Sequence, residues 1–421
     1  MNSHILVLST APHNFAGAAA ANARTLVLLA ALGATVQFFS PAQPFYADAL
    51  DTAGVQIVLC GFHSDAYPTS DTVAYASVAE AMLHSAEWWL EQNPANRIVL
   101  FATYLFPFCS AAEGVARALR RFDGRVDCVL IPAGSDIWQI GRQFPLITRH
   151  LLESNSVTAV AAYSARFANE VACWIGMQRE IVVIPAAIDT LRFIPLGPEE
   201  RRAARFGLGI SETEFVLSHC SNHRPVKGLS HVIEVAVMLA GGLSEEVHLL
   251  MVGPITANLR DVLVAAGLSE PDEQLPYRAQ LGKLRITCVG LQKDVRLYHS
   301  IGDVAVNTSL HDSFNISLAE AMACEVPVLT SDVAGVGALV EAYKCGVTIP
   351  FRHNPVYNDL GPQLTETSKL ELGGVVKWLI QLRHDDNLRR RLGKRARQAV
   401  VECCADAVVK SAWSKLLGMK G

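Results

Sequence analysis

A chain of 421 residues is longer than one core comfortably fills, so two domains are expected. With 51% hydrophobic and 18% charged residues it has a globular make-up, and a net charge of -4 lacks the basic footprint of a nucleic-acid binder. The ten cysteines form no C-x-x-C pair and mostly have apolar neighbours, as Cys128 does. That pattern fits buried free thiols in a reducing compartment rather than a disulfide frame or a zinc site.

From Ala16 to Phe39 the chain is almost wholly apolar, with Arg24 as its one charge. No basic segment precedes it, as a signal peptide would need, and a membrane span would bury Arg24 in lipid. A strand over Ile5–Ser9, a helix from about Gly17 to Leu32 and a strand over Thr35–Phe39 account for it, in a cytoplasmic protein. Further apolar runs follow at Val55–Leu59, Ile98–Phe101, Val126–Ile131, Val157–Ala161 and Ile181–Ile184. Runs of this kind suit strands buried on both faces of a parallel sheet, with helices such as Ser77–Glu91 and Ser164–Trp174 as crossovers.

Three prolines between Pro185 and Pro198 break the pattern. A second alternation then runs through Phe215–His219, Val247–Val252, Ile286–Val289, Val304–Val306 and Val326–Thr330. The sequence thus describes two doubly wound α/β units, residues 1–190 and 191–404, which bind ligands beyond the carboxyl ends of their strands. A last helix, about 405–421, carries Trp413, which either packs back on the first unit or fills a core. The basic residues from Arg389 to Arg397 read as a solvated helix face, with peripheral contact to an anionic membrane as the alternative. Of Trp88 and Trp89, at least one belongs in the core.

The segment from His311 to Asp332 carries the strongest chemical signal. It runs from a strand end through a loop into a helix, a natural anion site because free N–H groups and the helix dipole both favour phosphate. Asp312 before the helix and Glu320 within it, eight residues apart, would bracket that site and accept hydrogen bonds from hydroxyl groups. Ser317 to Glu320 also spells a capping box, a purely structural device. Arg224 and Lys227, ahead of Gly228 and just after a strand, could neutralise a diphosphate without metal; a solvated turn is the plainer reading. No D-x-D, Walker A, H-E-x-x-H, G-x-S-x-G or full G-x-G-x-x-G occurs.

The His311–Asp332 segment resembles the E-x7-E region of family 4 retaining glycosyltransferases. Asp312 stands at the first Glu, Asn315 where Gly is common, and Glu320 at the second Glu. Arg224 and Lys227 resemble the family's phosphate cations. Gly134, Asp136 and Ile137 resemble a His-Gly-x-Asp-Ile segment in which Ala133 replaces the His, and Ile184–Phe193 resembles the interdomain hinge, with Ala186 and Ala187 for Asn and Gly. The resemblance implies a GT-B fold of two Rossmann-like domains, the first acceptor-side and the second donor-binding. It implies a retaining, metal-independent hexosyl transfer from a nucleotide sugar, with UDP the expected nucleotide, and no other cofactor. Arg224, Lys227, Asp312 and Asp136 are then the expected catalytic residues. Gly17, Phe314, Asn315, Ile316 and Glu320 are the expected donor contacts. Saccharide, lipid-linked and small-molecule acceptors all stay open, with loops near His13–Phe15 and Tyr104–Cys109 as their expected site. A pseudo-glycosyltransferase or sugar phosphorylase on the same scaffold, and a non-catalytic nucleotide-sugar-binding subunit, are the alternatives.

Overall fold

The computed structural model describes residues 5–10, 17–40, 42–60, 72–350 and 356–419, except 123, 135, 138–140, 142, 272–273, 359–360 and 364–371. His13, Asn14 and Phe15 lie outside these. The chain forms two compact units, residues 1–187 with 406–421, and residues 188–405.

In the first unit β1 (Ile5–Thr10), β2 (Thr35–Ser40), β3 (Gln56–Leu59), β4 (Arg97–Thr103), β5 (Val126–Ile131), β6 (Ala159–Ala162) and β7 (Ile181–Val183) form one sheet. Its order is β3-β2-β1-β4-β5-β6-β7, and every pairing is parallel. The crossovers are α1 (Gly17–Ala30), α2 (Ala47–Thr52), α3 (Thr72–Gln92), α4 (Ser110–Ala118), α5 (Pro145–Leu152) and α6 (Ala165–Ile175). Central strands such as β4 are buried almost end to end, because helices cover both faces of the sheet.

The second unit repeats the plan. Its strands are β8 (Phe215–Cys220), β9 (Val247–Val252), β10 (Tyr277–Leu281), β11 (Leu284–Cys288), β12 (Val304–Asn307), β13 (Val328–Ser331) and β14 (Gly346–Ile349). They lie in the order β10-β11-β9-β8-β12-β13-β14, with only the β10–β11 hairpin antiparallel. The helices are α7 (Pro198–Gly207), α8 (Leu229–Gly242), α9 (Ala257–Ala265), α10 (Arg296–Ile301), α11 (Ile316–Ala323), α12 (Gly337–Tyr343), α13 (Leu372–His384) and α14 (Asp386–Cys403). A short antiparallel pair, β15 (Val356–Asn358) and β16 (Gly361–Gln363), stands apart from this sheet.

The last helix, α15 (Asp406–Leu417), belongs to the first unit. Arg24, the lone charge of the apolar N-terminal stretch, forks onto Asp406 (Nε–Oδ1 2.9 Å). Trp413 is 1% exposed and meets Phe101 edge to face at 5.2 Å. Trp88 is exposed, whereas Trp89 packs against the core.

The proline-rich connection folds onto the second unit. Arg397 donates to the carbonyls of Thr190 (3.1 Å) and Phe193 (2.8 Å), so it is a structural tie and not part of a solvated basic face. Arg389 is likewise engaged, by Leu382 O and Asp386. Arg390, Arg391, Lys394 and Arg395 remain exposed. All ten cysteines are free thiols and seven are buried.

Candidate functional site

In the second sheet β9 lies on one side of β8 and β12 on the other, so the chain reverses direction of winding between β8 and β12. Loops leaving such a pair diverge and open a crevice at their carboxyl ends. The two loops here are Ser221–Gly228 and Thr308–Asn315, and they carry five of the nine expected site residues: Arg224, Lys227, Asp312, Phe314 and Asn315.

Close backbone contact clasps the loops together. Gly228 has φ 62°, and a Cβ there would stand 2.2 Å from Thr308 O, so only glycine fits. Thr308 Oγ1 donates to Gly228 O (2.8 Å), and Leu310 N–H donates to Val226 O (2.8 Å). The second loop is pinned from its other side, where Gly335 N–H donates to Asp312 O (3.0 Å) and Val336 N–H to Phe314 O (2.7 Å).

This clasp sets Lys227 Nζ 2.7 Å from Asp312 Oδ2, with side chains 20% and 11% exposed. The pair joins residues 85 apart in sequence. Among the described residues, Asp312 Oδ1 has one long contact, 3.4 Å from Phe314 N. Arg224 is half-buried, and its guanidinium has no partner among the described residues. It is therefore an uncompensated cation one turn from a paired one.

Asn315 opens α11 in the left-handed region (φ 80°, ψ 74°), where Asn is one of the few side chains tolerated. That conformation explains why Gly is common at this position in the resembled pattern. Asn315 Oδ1 accepts from Leu318 N–H (3.2 Å) and caps the helix. Ser317 thus lies inside the first turn, and the Ser317–Glu320 capping box does not form. The N–H groups of Ile316 and Ser317 keep no acceptor among the described residues, and Asn315 Nδ2 is buried without one. Phe314 is 3% exposed and packs inward. Glu320, with a 20% exposed side chain, places Oε2 3.6 Å from His299 Nε2.

Two buried histidines beneath the first loop were not singled out from sequence. His219 and His223 stack with centroids 5.6 Å apart, and both are fully buried. His219 Nδ1–H donates to Val306 O (2.9 Å), its Nε2 accepts from Ser221 Oγ (2.8 Å), and His223 Nδ1–H donates to Pro254 O (2.8 Å). Carbonyl partners fix these tautomers. Burial, then the neighbouring His223, push His219 down to about 3; burial pushes His223 down to about 4. A His-x-x-x-His spacing at the end of an apolar run was the available signal.

In the first unit Asp136 is fully buried and each of its oxygens is occupied. It accepts from the N–H groups of Leu105 (2.7 Å), Gly134 (2.7 Å), Ile137 (3.0 Å) and Ala133 (3.1 Å). Burial raises its pKa against those four bonds. Asp136 therefore pins the turn after β4 to the turn after β5 through both of its carboxylate oxygens. Gly17 is the first residue of α1. Among the described residues, no group of three or more His, Cys, Asp or Glu is placed to hold a metal ion.

Two α/β units, each built on a seven-stranded sheet, define a scaffold shared with solved glycosyltransferases. A glycosyltransferase from Rickettsia africae superposes with a TM-score of 0.72 over 100% of both chains, at 14% identity. Anabaena HepE, solved in complex with UDP, gives 0.71 over 99% of each chain at 16% identity. The fold is GT-B.

Residues 200–356 match the family described as Glycosyl transferases group 1. N-acetyl-alpha-D-glucosaminyl L-malate synthase of Bacillus anthracis is 25% identical over 309 residues, 73% of this chain and 71% of that one. D-inositol 3-phosphate glycosyltransferase of Rhodococcus opacus is 28% identical over 172 residues, 40% of this chain and 36% of its own length. Among the described residues no helix is long and apolar enough to cross a membrane.

Proposed function

We propose that the chain transfers a hexosyl group from a nucleotide sugar, with UDP the nucleotide, to an acceptor hydroxyl with retention of configuration and without a metal ion. One observation carries the reading: an Arg224 guanidinium without a partner among the described residues, and the Lys227–Asp312 pair, beside the open start of α11. The UDP complex of HepE supports the choice of nucleotide.

Arg224 and Lys227 take the diphosphate, Arg by its fork and Lys by N–H groups that Asp312 leaves free. The N–H groups of Ile316 and Ser317 add the helix dipole, and all of them stabilise the charge that grows on the leaving phosphate. Asp312 Oδ1, which holds a long hydrogen bond from Phe314 N–H, accepts from a sugar hydroxyl while Oδ2 keeps Lys227 in place. Glu320 accepts from the ribose. The acceptor hydroxyl approaches on the leaving-group face, and the departing phosphate oxygen takes its proton. The acceptor side, and the donor contact of Gly17, are assigned to the first unit.

The test is transfer from UDP-glucose and UDP-N-acetylglucosamine to a panel of hydroxyl acceptors in excess chelator, with product anomers read by proton NMR. An α-linked product at an undiminished rate supports the reading. A β-linked product contradicts retention, and activity abolished by the chelator contradicts the metal-free site. A protein that binds nucleotide sugar yet transfers to none of the panel is the binding-subunit alternative.

A further inference from the structure

The sugar-transfer reading leaves one large feature of the second unit unused. A cavity of about 730 Å3 opens where β8, β12 and β13 begin, lined by Phe215, Asp303 and Pro327 at those strand starts. It is at the amino edge of the sheet, whereas the Lys227–Asp312 loops leave the carboxyl edge. Its volume suits a small phosphorylated metabolite.

Its walls are electrically lopsided. Six arginines and five carboxylates line it. One of the five, Glu214, is turned away to Arg285 (2.8 Å) and His248 (3.3 Å), neither of which lines the cavity. Four carboxylates then face six guanidinium groups. Asp303 alone serves three of them: Arg201 (Oδ1, 2.9 Å), Arg205 (Oδ2, 2.8 Å) and Arg389 (Oδ1, 3.5 Å). Burial lowers the pKa of Arg201, and repulsion from Arg205 and Arg389 adds to it against the pull of Asp303.

Two arginines have capacity left over. Arg383 donates one N–H to Thr213 O (2.9 Å), but its Nε is buried without an acceptor and no carboxylate among the described residues lies within ion-pair distance. Arg390 has a 74% exposed side chain and, among the described residues, one ion-pair contact, at 3.8 Å with Asp386. Crowded cations with an orphaned buried donor are unfavourable unless an anion completes them.

We propose that this cavity is a second anion site, which binds the phosphate group of a small phosphorylated metabolite through Arg383 and Arg390, within the positive field of Arg201 and Arg389. Inorganic phosphate and a sugar phosphate share the recognised group, and the size of the cavity favours the larger ligand.

Isothermal titration of inorganic phosphate and of a hexose 6-phosphate separates these cases. It is run on the unaltered protein, on Lys227→Ala and on the double variant Arg383→Gln/Arg390→Gln. The hexose phosphate is expected to bind more tightly than phosphate. The double variant should weaken it at least about tenfold, the worth of one charge-assisted hydrogen bond, while Lys227→Ala leaves it within about twofold. Arg390→Gln alone changes an exposed side chain and folds even if the double variant does not; it should weaken binding in the same direction. Absence of binding by either ligand overturns the proposal. So does binding that follows Lys227, and so does binding that no variant changes.

Discussion

Acidification should loosen the floor of the donor site before it touches the rest of the second unit. His219 and His223 are buried and neutral, with pKa values near 3 and 4 against about 6.5 for a histidine in an unfolded chain. Between those values the unfolded state binds more protons than the folded one, so stability is full above about pH 6.5 and falls as pH drops toward the folded values. At pH 5 each histidine is some 1.5 pH units below its unfolded pKa and still neutral when folded, which costs about 2 kcal/mol apiece. The pair therefore removes about 4 kcal/mol between pH 7 and pH 5. The perturbation is His223→Asn, because Asn can still donate to Pro254 O and tolerates the φ of 51° at this position. Urea denaturation at the two pH values, followed by pulsed hydrogen exchange in the β8 and β12 peptides, tracks this unit by itself. The variant should lose about 2 kcal/mol less than the unaltered protein over that range. An equal fall in both would refute the assignment of the pH dependence to this stack.

Three further outcomes follow from the same geometry. Lys227→Ala should weaken nucleoside diphosphate binding about tenfold or more and destabilise the second unit by about 1–3 kcal/mol, because it strands the mostly buried Asp312; Lys227→Ala/Asp312→Ala should recover stability in urea but not affinity by calorimetry. Gly228→Ala should cost more than about 3 kcal/mol, as its Cβ meets Thr308 O at 2.2 Å in a left-handed backbone, with nucleotide binding lost in step. Asp136→Asn should lower the melting temperature, since an amide replaces one of the acceptor oxygens facing four N–H groups, yet leave nucleotide affinity in calorimetry unchanged.

The architecture was legible wherever strands are buried on both faces. Val126–Ile131 and Val247–Val252 begin and end where their apolar runs do, because a parallel strand between helix layers has no polar face. The two edge strands of the second sheet were not: Tyr277–Leu281 alternates more and less exposed residues, and Gly346–Ile349 is short and half-exposed, so neither reads as a core strand. At the site, residue type and local spacing brought out Arg224, Lys227, Asp312 and Glu320. Spacing carries no sign that Lys227 and Asp312 touch, since their contact depends on the missing Cβ of Gly228 against Thr308. Nor does spacing show that Asp136 holds four backbone N–H groups, since such a carboxylate and one that awaits substrate look alike until burial is known. The arginines of the amino-edge cavity come from α7, α13 and α14, and only the fold assembles them.

The central claim is that the diphosphate of the donor is held by Arg224, Lys227 and the start of α11 with no metal. Calorimetric titration of UDP in excess chelator, into the unaltered protein and into Arg224→Ala, tests it most directly. Binding that persists in chelator and weakens about tenfold or more in the variant is the predicted result. Binding that vanishes with the chelator, or that Arg224→Ala leaves unchanged, would contradict the account.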